Sequence, residues 1–386
     1  MTLSTTQPST KVNWAIINAL RGIAALGVVI NHSRGWLFSN DMMYSANVHP
    51  KSEWQWWEWM QMRIIQFTGL GQEFVIFFFL LSGFSIAHSL SNMGKVKDFY
   101  TRRLIRLYPT YILGLLWAFI VFQLVKVAVP QVFYHAAEGN GPIADHYNQF
   151  ISWKNLIPSL FYIHDTQYLT PQYWSLPLEV IFYILAPWII KHLKVTGIIT
   201  LALCIVALWL FGVHYEDDDI VDPLRLYLFD YGIFFIVGIL FYKYRAVLTD
   251  KFPKSKWLYY SGAIMLFGIM ALTKAYIFHE ESTKVTGLLA ALFTWWLLFG
   301  AMKNNIVIGW LDKVGNYSYT LYVTHFATIF ALKIFAVQLG FNFYFIHNVF
   351  FWYLGIICSV AVAYLLYLIV ERPSIKKLEK LRAVKQ

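Results

Sequence analysis

Apolar residues run through this chain in long stretches broken by short polar segments. A run of roughly 18 or more apolar residues with few charges reads as a helix that crosses a bilayer. Such runs predict spans near 14–34, 73–92, 108–128, 173–190, 196–213, 224–242, 257–275, 285–302, 317–338 and 348–370. The pattern is that of an all-α, polytopic membrane protein with about ten transmembrane helices. Gly and Pro within several spans do not argue against them, because neighbouring helices can re-satisfy the backbone. The segment WQWWEW, Trp54 to Trp59, is too short and too polar to span. Its rings suit the membrane–water interface.

Composition strengthens this picture. Of 386 residues, 58% are hydrophobic and 13% are charged, against roughly 25% charged in a soluble domain. The first apolar run, near Trp14 to Ile30, has no small-residue cleavage pattern after it, so it is expected to stay as the first helix and to act as the insertion signal. Cys204 and Cys358 both fall inside spans and read as small buried residues rather than a disulfide. No Cys or His cluster has metal-ligand spacing. Between spans, the segments 35–72 and 129–172 are the longest. No internal repeat is visible, and the chain reads as one domain, 1–386.

The net charge of +10 is unevenly placed. With the N-terminus inside, inner segments carry 21 Lys and Arg with 5 acids, and outer segments carry 8 with 14 acids. Basic residues gather on the cytoplasmic side of membrane proteins. Both termini are therefore expected in the cytoplasm. The same asymmetry accounts for the basic charge through insertion and anionic lipid, without a nucleic-acid partner.

An ionisable side chain within a span needs a partner or a wet cavity. The candidates are Arg21, His32, Glu179, Asp230, His325 and Lys333. Arg21 and His32 lie eleven residues apart on the first span, about 16 Å along one face. A histidine near neutral pH is a natural proton acceptor for a hydroxyl. The plainer alternative pairs Arg21 with an internal carboxylate and leaves His32 at an interface. Ser175 and Glu179, in YWSLPLEVIFY, are four apart and share a helical face. Glu179 stands at a depth similar to His32 and could orient its ring, or pair with Arg21 for assembly alone. Asp230 could serve the same cavity or neutralise Lys333. His325 lies near mid-membrane in GNYSYTLYVTHF, after a one-sided set of Ser and Tyr hydroxyls that includes Tyr319. It could equally be a satisfied core histidine.

On the cytoplasmic side, RRLIRLYP places Arg102, Arg103 and Arg106 before the third span, with Arg103 and Arg106 facing the same way. Arginines so presented suit phosphates, although a positive-inside flank would look the same. Ser82 and Gly83, in FFFLLSGF, lie mid-span, where Gly admits either a ligand or a neighbouring helix.

Taken in order, these elements resemble the acyltransferase-3 family of membrane O-acyltransferases. The resemblance covers nearly the whole chain: LRGIAALGVVINH with Arg21 and His32, FFFLLSGF, RRLIRLYP, WSLPLEVIFYILAP, SYTLYVTHF and a closing ERP at Glu371 to Pro373. Pro177 and Leu178 depart from the commoner residues, and Glu73 stands where an apolar residue is expected. The resemblance implies transfer of an acyl group, usually acetyl, from acetyl-CoA or another cytoplasmic acyl-CoA. The acceptor would be a hydroxyl of an extracytoplasmic or lipid-linked saccharide. It implies that His32 is the catalytic base and that Arg21 supports donor binding or transfer. Arg103 and Arg106 would hold the CoA phosphates, and Ser175 and Glu179 would line the transfer site. Arg102, Ser82, Gly83, Tyr319 and His325 are the further residues expected along the donor path. Some members carry a C-terminal esterase-like domain; this chain ends soon after its last span and is expected to act without one, alone, with a separate partner or as an oligomer. The rival reading is a proton-coupled transporter of a small polar or lipid-linked solute, since buried His, Glu and Asp also build proton relays. Absence of a repeat speaks against it.

Overall fold

A computed structural model describes residues 12–37, 51–92, 96–135, 142–163, 168–211, 223–276, 283–341 and 349–383. Every regular element among them is helical. Ten long helices form the bundle: α1 Trp14–Leu37, α2 Gly71–Ser91, α3 Val96–Ala128, α4 Ser175–Lys191, α5 Leu193–Phe211, α6 Pro223–Lys243, α7 Lys256–Tyr276, α8 Thr283–Asn304, α9 Ser318–Gln338 and α10 Val349–Leu366. Among the described residues nine helices are long and apolar enough to cross a membrane. The tenth expected span, 196–213, appears as α5, whose described apolar stretch is only Leu193–Ala207. The chain is a multi-pass membrane protein.

Helix α2 is central and packs against α1, α4, α6 and α8, while α9 packs against α1, α3 and α10. Helices in lipid gain little from excluding water from one another, so close packing and polar contacts decide their pairing. Gly83 shows this. A Cβ there would strike the Phe235 carbonyl and come within 3.1 Å of the Gly238 Cα, so the missing side chain is what lets α2 and α6 touch.

The third span differs from its expected boundaries. RRLIRLYP is not a loop before the helix but its opening turns, and α3 continues through Pro109. Two things hold these turns in place. Phe99 is fully buried, and the Arg103 guanidinium lies over the rings of Phe99 and Tyr183 at 5.6 and 5.4 Å. With 33 residues the helix is about 50 Å long, more than the roughly 30 Å hydrocarbon core requires. Its basic start therefore stays joined to the bundle.

WQWWEW lies at the start of a separate amphipathic helix, Trp56–Gln66, closed at its N-terminus by Glu58 Oε2 accepting from the Gln55 amide at 2.7 Å. Met62 and Ile65 are buried in a cluster with Trp352, whereas Trp56, Trp57 and Trp59 are exposed. That outward aromatic face fits an interfacial helix. Glu73 is 1% exposed and faces the Lys274 amine at 3.9 Å; an opposite charge is what makes a carboxylate tolerable there. Cys204 and Cys358 are free and half-buried.

Candidate active site

Two polar constellations sit on these helices. The first is a cavity between α1, α2, α3, α4 and α9. Arg21, Arg103, Arg106, Ser82, Glu179 and Ser175 all line it, joined by Tyr319. Their helices are far apart in sequence, so the bundle brings together most of what the spacing singled out. Arg102, Gly83, His32 and His325 are not among the lining residues. Arg102 follows from helical geometry: Arg103 and Arg106 share a face and their neighbour points elsewhere. Gly83 follows from its role against α6.

Inside the cavity, Glu179 accepts from the Ser82 hydroxyl at 3.0 Å and from the Tyr183 hydroxyl. Tyr183, one turn further on α4, was not singled out from sequence; a second polar residue at i+4 from Glu179 was its available signal. The Arg21 guanidinium donates to Ser85 Oγ at 3.1 Å. Beneath the arginines, Glu371 is 1% exposed on a π-turn, Tyr367–Glu371, that continues α10. It accepts from the Thr320 amide at 3.3 Å and hydroxyl at 2.5 Å, and lies within electrostatic reach of Arg106 and Arg21. Tyr319 hydrogen-bonds with Tyr162. Burial holds the Tyr162 hydroxyl well above the usual tyrosine range, so it stays a neutral hydrogen-bonding group.

The second constellation is a histidine pair. His32 Nδ1 lies 2.8 Å from His325 Nε2, and the two rings are nearly parallel, at 6°. The ring that orients His32 therefore belongs to His325 and not to the carboxylate of Glu179, which is taken up by Ser82 and Tyr183. His325 Nδ1 faces the carbonyl oxygens of Leu321 and Tyr322 at 3.1 and 2.8 Å. Carbonyls only accept, so the His325 proton sits on Nδ1 and its Nε2 carries a lone pair. A neutral imidazole has one N–H. With both rings neutral, His32 donates from Nδ1 and keeps a lone pair on Nε2. A half-buried imidazole with its tautomer fixed in this way is shaped for taking a proton.

Tyr322 joins the two constellations. Its side chain lines the cavity, and its hydroxyl is 2.6 Å from Ser175 Oγ and donates to the Gln172 carbonyl at 2.7 Å. Its own carbonyl accepts from His325. The other two charged candidates lie outside the cavity lining. Asp230 is on a π-turn, Tyr227–Tyr231, within α6, and Lys333 lies over the Trp36 ring at 4.7 Å.

One relative is the acyltransferase MdmB of Streptomyces mycarofaciens, 27% identical over 190 residues, or 47% of this chain and 40% of that protein. The matched region thus spans less than half of that relative's length. Another is nodulation protein 10 of Rhizobium leguminosarum bv. viciae, 19% identical over 92% of both chains. No solved structure matches. The family model described as an acyltransferase domain matches residues 14–368, nearly the whole bundle and both polar constellations, and the chain belongs to this acyltransferase-3 family as a membrane acyltransferase.

Proposed function

We propose that this protein transfers a short acyl group, acetyl above all, from acyl-CoA in the arginine-lined cavity to a hydroxyl of an extracytoplasmic or lipid-linked saccharide. The observation that carries the reading is the pairing of a three-arginine cavity with an oriented histidine farther along the same helices, α1 and α9. The basic end of the bundle faces the cytoplasm of a cell inner membrane by the positive-inside rule, and both termini with it. Arg103 and Arg106 bind the donor phosphates from that side. Arg21 and the Ser82–Glu179–Tyr183 cluster line the path of the thioester arm.

His32 Nε2 removes the proton of the acceptor hydroxyl as the oxygen attacks the thioester carbonyl. A C–O bond forms, the C–S bond breaks, and the CoA thiolate leaves. His325, bonded to two carbonyls through Nδ1, keeps the base in its working tautomer and accepts the Nδ1–H of the imidazolium that forms. Direct transfer is favoured over a serine acyl-enzyme because the Ser82 and Ser175 hydroxyls are bonded to Glu179 and Tyr322 rather than to an imidazole.

The test is a radiolabelled acetyl-CoA assay on the purified full chain in lipid nanodiscs with saccharide acceptors. Release of CoA together with label on the acceptor is expected. Vesicle uptake of a solute with no turnover of any acyl-CoA would replace this reading with transport.

A further inference from the structure

The cavity is divided along its length. Arg103 and Arg106 lie at the opening turns of α3, and Arg21 bonds Ser85. Moving along α2 from Ser85 towards Gly71, the lining on this helix passes Ser82 and then becomes apolar: Phe79, Phe78 and Val75; α4 adds Leu176 beside Ser175, whose hydroxyl is engaged by Tyr322. From Ser82 to Val75 is seven residues, about 10 Å. That direction leads to the histidines. Helices α1 and α2 run antiparallel: Arg21 stands beside Ser85, Gly27 beside Phe74 and Asn31 beside Gly71. The apolar end therefore approaches the level of His32.

The walls of this end are held in place. Val75, Phe79 and Leu176 are buried. The Phe79 ring lies 4.6 Å from that of Phe235 and 5.8 Å from that of Tyr231, both on α6. Phe78 is half-buried and meets Tyr322 edge-on at 5.8 Å, and the Tyr322 carbonyl carries His325.

We infer that this apolar end is the acyl pocket and that Val75, Phe78, Phe79 and Leu176 restrict the donor to short acyl chains. The inference rests on the acyltransferase reading. An acyl-CoA has phosphates at one end and an apolar chain at the other, and the cavity has the same polarity. A packed apolar wall penalises each methylene it cannot house, by about 10-fold or more.

The experiment compares acetyl-, butyryl-, hexanoyl- and octanoyl-CoA in a CoA-release assay on the full chain in nanodiscs, with wild type, Leu176→Ala and Phe78→Leu. Wild type should lose at least about 10-fold in kcat/KM between butyryl and octanoyl. Leu176→Ala should raise the hexanoyl-to-acetyl ratio by about the same factor. Phe78→Leu, a milder change, should move it in the same direction. An octanoyl-CoA used as well as acetyl-CoA by wild type, or a ratio unchanged in variants that keep the wild-type thermal midpoint, overturns the pocket. A second readout needs no variant: inhibition of acetyl transfer by the longer thioesters should weaken down the series, and equal inhibition across it overturns the proposal. Absence of both binding and turnover for every acyl-CoA would instead sink the acyltransferase chemistry itself.

Discussion

The arginine cavity and the histidine pair share α1 and α9 yet satisfy their polar atoms in opposite ways. In the cavity three arginines face Glu179, which is already engaged by two hydroxyls, with Glu371 beneath them as the second carboxylate in reach. Positive charge is in excess, and an anion is what such a place attracts. In the histidine pair every N–H is committed, and a single ring lone pair on His32 remains. One region is arranged to hold a charged ligand. The other is arranged to exchange a proton.

Substitutions can separate the two. The largest effect is expected for His32→Ala. Loss of a general base costs roughly 10²–10⁴-fold, so acyl transfer should fall by about 1000-fold while the donor Kd, measured by calorimetry, moves little. Retained activity would remove His32 from the chemistry. His325→Gln comes next, with kcat down by about 100-fold, because the ring is left free to turn or change tautomer. Donor KM should hold, and the pH dependence of kcat should change; a purely structural role would leave the pH profile alone. The smallest effect on chemistry is expected on the cavity side. Arg103→Ala and Arg106→Ala each remove a charge-assisted contact of about 2 kcal/mol, or roughly 30-fold in donor Kd, with kcat changed little. The wild-type affinity should also weaken with added salt. If instead the arginine variants lower kcat and leave Kd intact, the division of labour between the two regions is wrong.

Much of this arrangement was legible in the sequence. Hydropathy located the long helices, because each must match lipid on its own account. Helical spacing correctly grouped Arg103 with Arg106 and Ser175 with Glu179, since residues three or four apart share a face whatever surrounds them. Sequence reasoning went astray where the partner lay far along the chain. By depth alone Glu179 could orient His32 or pair with Arg21, but depth does not say which way a helix is rotated. The bundle turns Glu179 toward Ser82, 97 positions away, and His32 toward His325, 293 positions away. RRLIRLYP read as a flank before the third span because its arginines fall outside the apolar run; buried Phe99 and the ring faces around Arg103 keep it helical. Gly83 read as a place for a ligand or a neighbour, and Gly238 on α6 is the neighbour.

The sequence alone determined that this chain lives in a membrane as a helical bundle, and which of its ionisable residues would need partners there. Those are properties of single helices and their exchange between water and lipid. Only the tertiary structure decided the partners, the tautomer of His32 and the apolar end of the cavity. Rotation and neighbour choice are set by close packing between helices, at contacts such as Gly83 against Gly238, and no single segment contains that information.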